Sequence, residues 1–194
     1  MNNAVANGIV AVVAAGNSGP KTCTIGSPAA ANDAITVGAM SDVGEKGFYI
    51  ASFSSRGPTA DNRIKPDVVA PGFSITAAAR GTTSGYTIKS GTSMATPFVA
   101  GIVALMLDAN PNLSPSDVKS KIMGTASDWG PVGSEIDYGS GRLDGYEAVR
   151  GVFNPLHSGN NVSVPIHTFI SGNLHGTGAI DTWSIYIGVT QLTE

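Results

Sequence analysis

The run GIVAVVAA, from Gly8 to Ala15, is apolar without interruption and rich in β-branched valine and isoleucine. A half-exposed strand alternates polar and apolar residues, whereas a continuous apolar run predicts a strand covered on both faces. Strands of that kind belong to parallel sheets carrying helices, so this one segment already points to the α/β class. AITVGAM (Ala34 to Met40) and DVVAPG (Asp67 to Gly72) read as further short strands bounded by glycine and proline. The helix that covers them is expected from Ser93 to Asp108. There Val99, Ile102, Val103, Leu105, Met106 and Leu107 are apolar almost all round, which predicts burial against the sheet. Pro97 sits just inside that helix and removes the hydrogen bond to the Ser93 carbonyl.

Other elements announce themselves by their ends. A helical pattern over residues 4–7 is closed by Gly8. NLSPSDVKSKIM supplies Ser114 as a cap, Pro115 at the first helical position and Asp117 near the positive end of the dipole. DGYEAVRG, Asp144 to Gly151, predicts a last short helix stopped by glycine. After Asn154 and Pro155 the segment VSVPIHTFISGNLHGTGAIDTWSIYIGV alternates polar and apolar residues between Gly and Asn turns, a hairpin style of sequence. The division expected is therefore 1–153 for the main domain and 154–194 for a linker and a β-rich tail.

With 13% charged residues and a net charge of −3, no basic stripe is available for a phosphate backbone, and nucleic acid is not an expected partner. The apolar run from Ile9 to Ala15 is too short to span a bilayer and has no positively charged leader, so neither a membrane span nor a signal peptide is read here. Cys23 is the only cysteine, and burial rather than an internal disulfide must hold the fold. The chain opens within a helix-like segment, and it is expected to begin partway through a larger domain.

Chemistry concentrates at the start of the long helix, in GTSMATPFVAG (Gly91 to Gly101). Serine and threonine are common helix caps, and Ser93 has that reading open to it. The other reading is a nucleophile, which needs a base, and the nearest histidine in sequence is His157. Asn17 lies in N-S-G-P, strong turn chemistry, yet it directly follows a buried strand, where sites gather in α/β sheets. GNSGP lacks both the G-x-G-x-x-G and the G-K-[ST] patterns of nucleotide sites. Asp33, Asp42, Asp61 and Asp67 are read as residues of turns or solvated loops.

Three segments in this order, VVAAGNSGP (Val12 to Pro20), ASFSSRGP with DVVAPG (Ala51 to Gly72) and GTSMATPFVAG, resemble the later two thirds of the catalytic domain of subtilisin-like serine proteases. The resemblance implies a three-layer α/β/α fold with a mostly parallel sheet, truncated at its N-terminal side. It also implies a serine endopeptidase acting through an acyl-enzyme on Ser93, with Asn17 in the oxyanion hole. Ala14, Ala15, Gly16 and Ala29 match the small-residue walls of the family's primary specificity pocket, implying tolerance of bulky apolar residues on the acyl side of the cleaved bond. Phe98 stands where many relatives have a histidine that is not the catalytic base.

Asp67 matches a position that helps bind a weak cation in some relatives. Lys65 stands where those relatives carry a carboxylate, an argument against calcium; no metal or organic cofactor is required for the chemistry. The family's order is Asp, then His, then Ser. Both earlier segments would precede Met1, so the partners implied are polypeptide substrates and the N-terminal part of the catalytic domain, and the chain by itself is expected to be inactive. His157, His167 and His175 lie in the tail and are expected to be surface residues, not bases. The tail is similar to the opening of small β-sandwich domains that follow secreted proteases, and an extracellular or cell-envelope location is implied. The rival reading is a non-catalytic module, either a degenerate homologue that merely binds peptides or a truncated product without function.

Overall fold

A computed structural model describes residues 1–42 and 48–152. The hairpin-like segment expected beyond 154 and the three histidines it carries lie outside the described residues. The main compact unit is Met1–Asn154. It is built from α1 (Asn2–Ala6), β1 (Val12–Ala14), β2 (Ile35–Asp42), β3 (Phe48–Ile50), β4 (Val68–Pro71), β5 (Ile75–Ala78), β6 (Tyr86–Lys89), α2 (Thr92–Ala109), α3 (Pro115–Gly124) and α4 (Gly145–Arg150).

The fold is α/β around a sheet centred on β2. One edge of β2 pairs in parallel with β1, Val13 opposite Thr36, and the other pairs in parallel with β4, Val37 opposite Val68. Further along, β3 joins antiparallel on the β1 side, with Met40 opposite Ile50. β5 and β6 form a separate antiparallel hairpin, with Ile75 opposite Lys89.

Because side chains alternate along a strand, the sheet divides its apolar residues between two faces. Ile35, Val37, Ala39, Val68 and Ala70 enter one core with Ala95, Val99, Val103 and Met106 of α2, Val118 and Ile122 of α3, and Ala148 of α4. Met40 and Val69 point the other way, against Tyr138, with Phe48, Ile50 and Trp129 around them. There the covering segment is irregular: Tyr138 Oη accepts from Ile50 N–H (3.1 Å), and the Trp129 indole donates to the Phe48 carbonyl (2.6 Å). The described residues thus hold helices on one face of the sheet and the 125–142 segment on the other.

Two sequence expectations are corrected in detail. The GIVAVVAA run yields only three residues of strand, and Ile9 is 58% exposed, because β1 pairs with β2 alone among the described residues. The long helix is buried on one face, through Thr92, Ala95, Val99, Val103 and Met106; Phe98, Ala100, Gly101 and Ala104 are exposed on the other. The short helices follow their end signals. Ser114 accepts from Asp117 N–H while the Asp117 carboxylate accepts from Ser114 N–H (3.1 Å), a reciprocal cap. Asp144 caps α4 by accepting from Glu147 N–H (3.0 Å).

Candidate active site

The site lies at the carboxyl ends of β1 and β4, where α2 begins. Close approach of α2 to the sheet depends on Gly72, just after β4: a side-chain carbon there would stand 2.7 Å from Ala39 Cβ and 2.9 Å from the Gly91 carbonyl oxygen. Gly91 N–H donates to the Gly72 carbonyl (2.8 Å), tying the strand end to the helix start.

This geometry decides the role of Ser93 as a cap. The cap position belongs to Gly91, Thr92 is the first helical residue and Ser93 the second. Ser93 is exposed, and its hydroxyl makes no hydrogen bond among the described residues. Its backbone N–H is one of the first-turn donors that a helix leaves unpaired, at the positive end of the dipole. Pro97 has no N–H to return to the Ser93 carbonyl, as the sequence indicates.

Asn17 approaches from the loop after β1. Thr92 N–H donates to Asn17 Oδ1 (2.9 Å), and the Thr92 hydroxyl donates to the same oxygen (3.1 Å) while accepting from Gly16 N–H (3.2 Å). Both contacts to Asn17 are donors, so the amide must present its oxygen to Thr92 and keep its Nδ2 hydrogens for something else. The loop is clamped from below. Ser55 N–H donates to the Gly16 carbonyl (2.8 Å), and Ser18 N–H donates to Ser55 Oγ (3.1 Å). Gly16 has φ +108°, and a side-chain carbon there would meet Ser55 Oγ at 2.8 Å, so both conformation and space call for glycine. Thr92 and Ser55 have no role in the sequence reading. Thr92 was open to view inside G-T-S, but a threonine's partner 75 residues away in the chain leaves no local pattern.

Of the small residues, Ala14 and Gly16 are half-buried, while Ala15 and Ala29 are buried together with Ile25 in a small cluster of their own. No histidine occurs among the described residues, and nothing there brings an imidazole to Ser93.

Two acidic residues depart from their expected setting; Asp42 is the last residue of β2 rather than part of a loop. Asp67 is not in a solvated loop: it is 4% exposed and sits between two ammonium groups, Lys65 Nζ at 2.5 Å and Lys119 Nζ at 3.2 Å. The carboxylate also accepts from Thr36 N–H (2.6 Å), and Lys65 Nζ donates to the Ala34 carbonyl (2.9 Å). Burial pushes the Lys65 amine down from 10.5 to about 8, opposed by the charge and hydrogen bond of Asp67. Of the others, Asp61 is exposed and pairs with Arg63 (2.7 Å), and Asp33 is exposed. The described residues contain no group of three His, Cys, Asp or Glu able to hold a metal.

The first turn of α2, with Ser93, and the asparagine amide anchored to it by Thr92 stand at the carboxyl ends of the strands, where sites gather in α/β folds. Comparison with known proteins defines the class. Residues 1–141 match the model of the Subtilase family, and the chain belongs to that family. It is 42% identical over 159 residues to the serine protease AprX of Bacillus subtilis, covering 74% of this chain and 36% of that protein. It is 39% identical over 146 residues to subtilisin of Bacillus pumilus, covering 74% of this chain and 48% of that protein. Among solved structures it is similar to the prenylagaramide maturation protease PagA, with a TM-score of 0.65 and 27% identity over 79% of this chain and 54% of that one. The chain therefore spans less than half the length of either curated relative.

Proposed function

We propose that this chain carries the nucleophile and the oxyanion donor of a serine endopeptidase, and that the Asp and His completing the triad come from polypeptide outside these 194 residues. The observation that carries the reading is the double anchoring of Asn17 Oδ1 by Thr92, which leaves Nδ2 as a fixed donor beside the N-terminus of α2. In the reaction Ser93 Oγ attacks the peptide carbonyl carbon and its proton passes to the imidazole. The carbonyl oxygen becomes an oxyanion that accepts from Asn17 Nδ2 and Ser93 N–H. Collapse releases the amine, which takes the proton, and leaves an ester on Ser93. Water, deprotonated by the same imidazole, then frees the acid.

Ala14, Ala15, Gly16 and Ala29 form the small-residue side of the pocket for the acyl-side residue, which favours bulky apolar groups in substrates. No metal or organic cofactor enters this chemistry, and the buried Lys65 ammonium beside Asp67 speaks against a cation there. Secretion or retention at the cell envelope goes with such a protease. The test is reconstitution: this chain joined to, or mixed with, a segment bearing the Asp and His should hydrolyse a chromogenic peptide, and the chain alone should not. A folded, complete assembly without hydrolysis would favour the non-catalytic, peptide-binding reading.

A further inference from the structure

The loop from Ala29 to Ala34 has few backbone partners for its carbonyl groups, and side chains take their place. Ala29 O accepts from the Thr36 hydroxyl (2.7 Å), Ala30 O from Arg63 Nη2 (2.8 Å), Asn32 O from Lys119 Nζ (2.6 Å), and Ala34 O from both Lys65 Nζ (2.9 Å) and Lys119 Nζ (3.1 Å). Asp67 holds the two lysines and Thr36 N–H in one buried knot. The other side of the loop reaches the site: Ala29 shares a small buried cluster with Ile25 and with Ala15, which precedes Gly16 and Asn17. We propose that Thr36, backed by the Lys65–Asp67–Lys119 cluster, is a positioning residue for substrate selectivity, fixing Ala29 and thereby the size of the acyl-side residue that the pocket accepts. The proposal rests on the endopeptidase reading, because the pocket assignment of Ala29 belongs to it.

The physical reason is leverage. An irregular loop whose carbonyls are held by four side-chain donors has no ladder to restore it when one donor is lost, and a buried carbonyl left unpaired drives local rearrangement. Thr36 is fully buried, and its hydroxyl spans the loop directly to Ala29. Removing that hydroxyl changes no charge and little volume, so the response of the pocket can be read without disturbing Asp67.

The experiment compares Thr36→Val, Thr36→Ser and Lys65→Met in the assembly that contains the Asp and His, using paired peptide substrates with Phe or Ala on the acyl side. Thr36→Val and Lys65→Met are expected to shift the Phe-to-Ala ratio of kcat/KM by about tenfold, through KM, with kcat and the rate of Ser93 labelling by a small fluorophosphonate unchanged. Thr36→Ser, which keeps the hydroxyl, should restore the ratio. Hydrogen exchange of residues 29–36 in the 194-residue chain should accelerate in Thr36→Val and not in Thr36→Ser. An unchanged ratio in Thr36→Val, or an equal loss on both substrates through kcat, overturns the proposal. If the unsubstituted assembly fails to label at Ser93, the endopeptidase reading falls and the selectivity role falls with it. The exchange comparison then decides the support of Ala29 by itself: unchanged exchange in Thr36→Val overturns that too.

Discussion

Asn17 shows how a neutral side chain becomes a directional donor. Free in a loop, its amide could turn either end to a substrate oxygen. With Oδ1 held at 2.9 Å by Thr92 N–H and at 3.1 Å by the Thr92 hydroxyl, the amide's orientation is fixed, and in the proposed role Nδ2 would need no reorganisation when a substrate arrives. Asn17→Ala in the reconstituted enzyme should lower kcat by about 10²–10³-fold, the magnitude found for this kind of donor in subtilisin, a relative of this chain, with KM little changed. Thr92→Val removes one of the two anchors and keeps the other, so its loss of kcat should be clearly smaller than that of Asn17→Ala. Steady-state kinetics on both variants make the check; equal losses would mean that the amide is not held by the backbone N–H of Thr92. The placement of Ser93 and Asn17 at the edges of α2 and β1 was legible in the sequence because each lies inside a specific motif. The Thr92 anchor and the Ser55 clamp were not, since both join segments tens of residues apart. Asp67 misled for a related reason: Lys65 stands two residues away, but Lys119 comes from α3 and no local pattern announces it.

Among the elements, the helices were readable from their ends, and the strands β3 and β5 were not. Ser114, Pro115 and Asp117 write the start of α3 into four consecutive residues, and the reciprocal bonds form as those residue types allow. Ser114→Ala should therefore cost about 1 kcal/mol of stability, measured by urea unfolding of the complete catalytic assembly; a change within error would show that water replaces the cap. β3 is three residues long, and β5 is exposed along most of its length, so neither shows the alternation that identifies a half-buried strand. For α2, apolar composition was read as burial all round, yet only the Ala95–Val99–Val103–Met106 stripe is fully buried in the core, with Ile102 and Leu107 partly buried against it. Composition states what a helix can bury, and its neighbours decide how much.

For the molecule as a whole, the parallel α/β plan was legible from GIVAVVAA, AITVGAM and DVVAPG, whereas the covering of the second sheet face by the 125–142 segment was not, being irregular and held by Tyr138 and Trp129. The described surface carries apolar groups of the kind that promote association: the outer face of α2, Ile9 beside the β1 edge, and Tyr86 and Ile88 on the hairpin, 77% and 66% exposed. The isolated chain should accordingly sediment as concentration-dependent oligomers. A monodisperse monomer with a sharp cooperative melt would show that it is self-sufficient.

If Ser93 is a nucleophile awaiting a base, as proposed, covalent labelling should reveal it. Treat the 194-residue chain with a serine-directed fluorophosphonate, alone and after addition of a segment supplying the Asp and His, and locate the adduct by mass spectrometry. The removal of a triad base costs subtilisin about 10⁶-fold in turnover, so labelling of the chain alone should be negligible and labelling in the assembly rapid and confined to Ser93, abolished by Ser93→Ala and untouched by substituting His157, His167 and His175 together. A folded assembly that stays unlabelled at Ser93, or labelling that depends on one of those three histidines, would contradict the proposal.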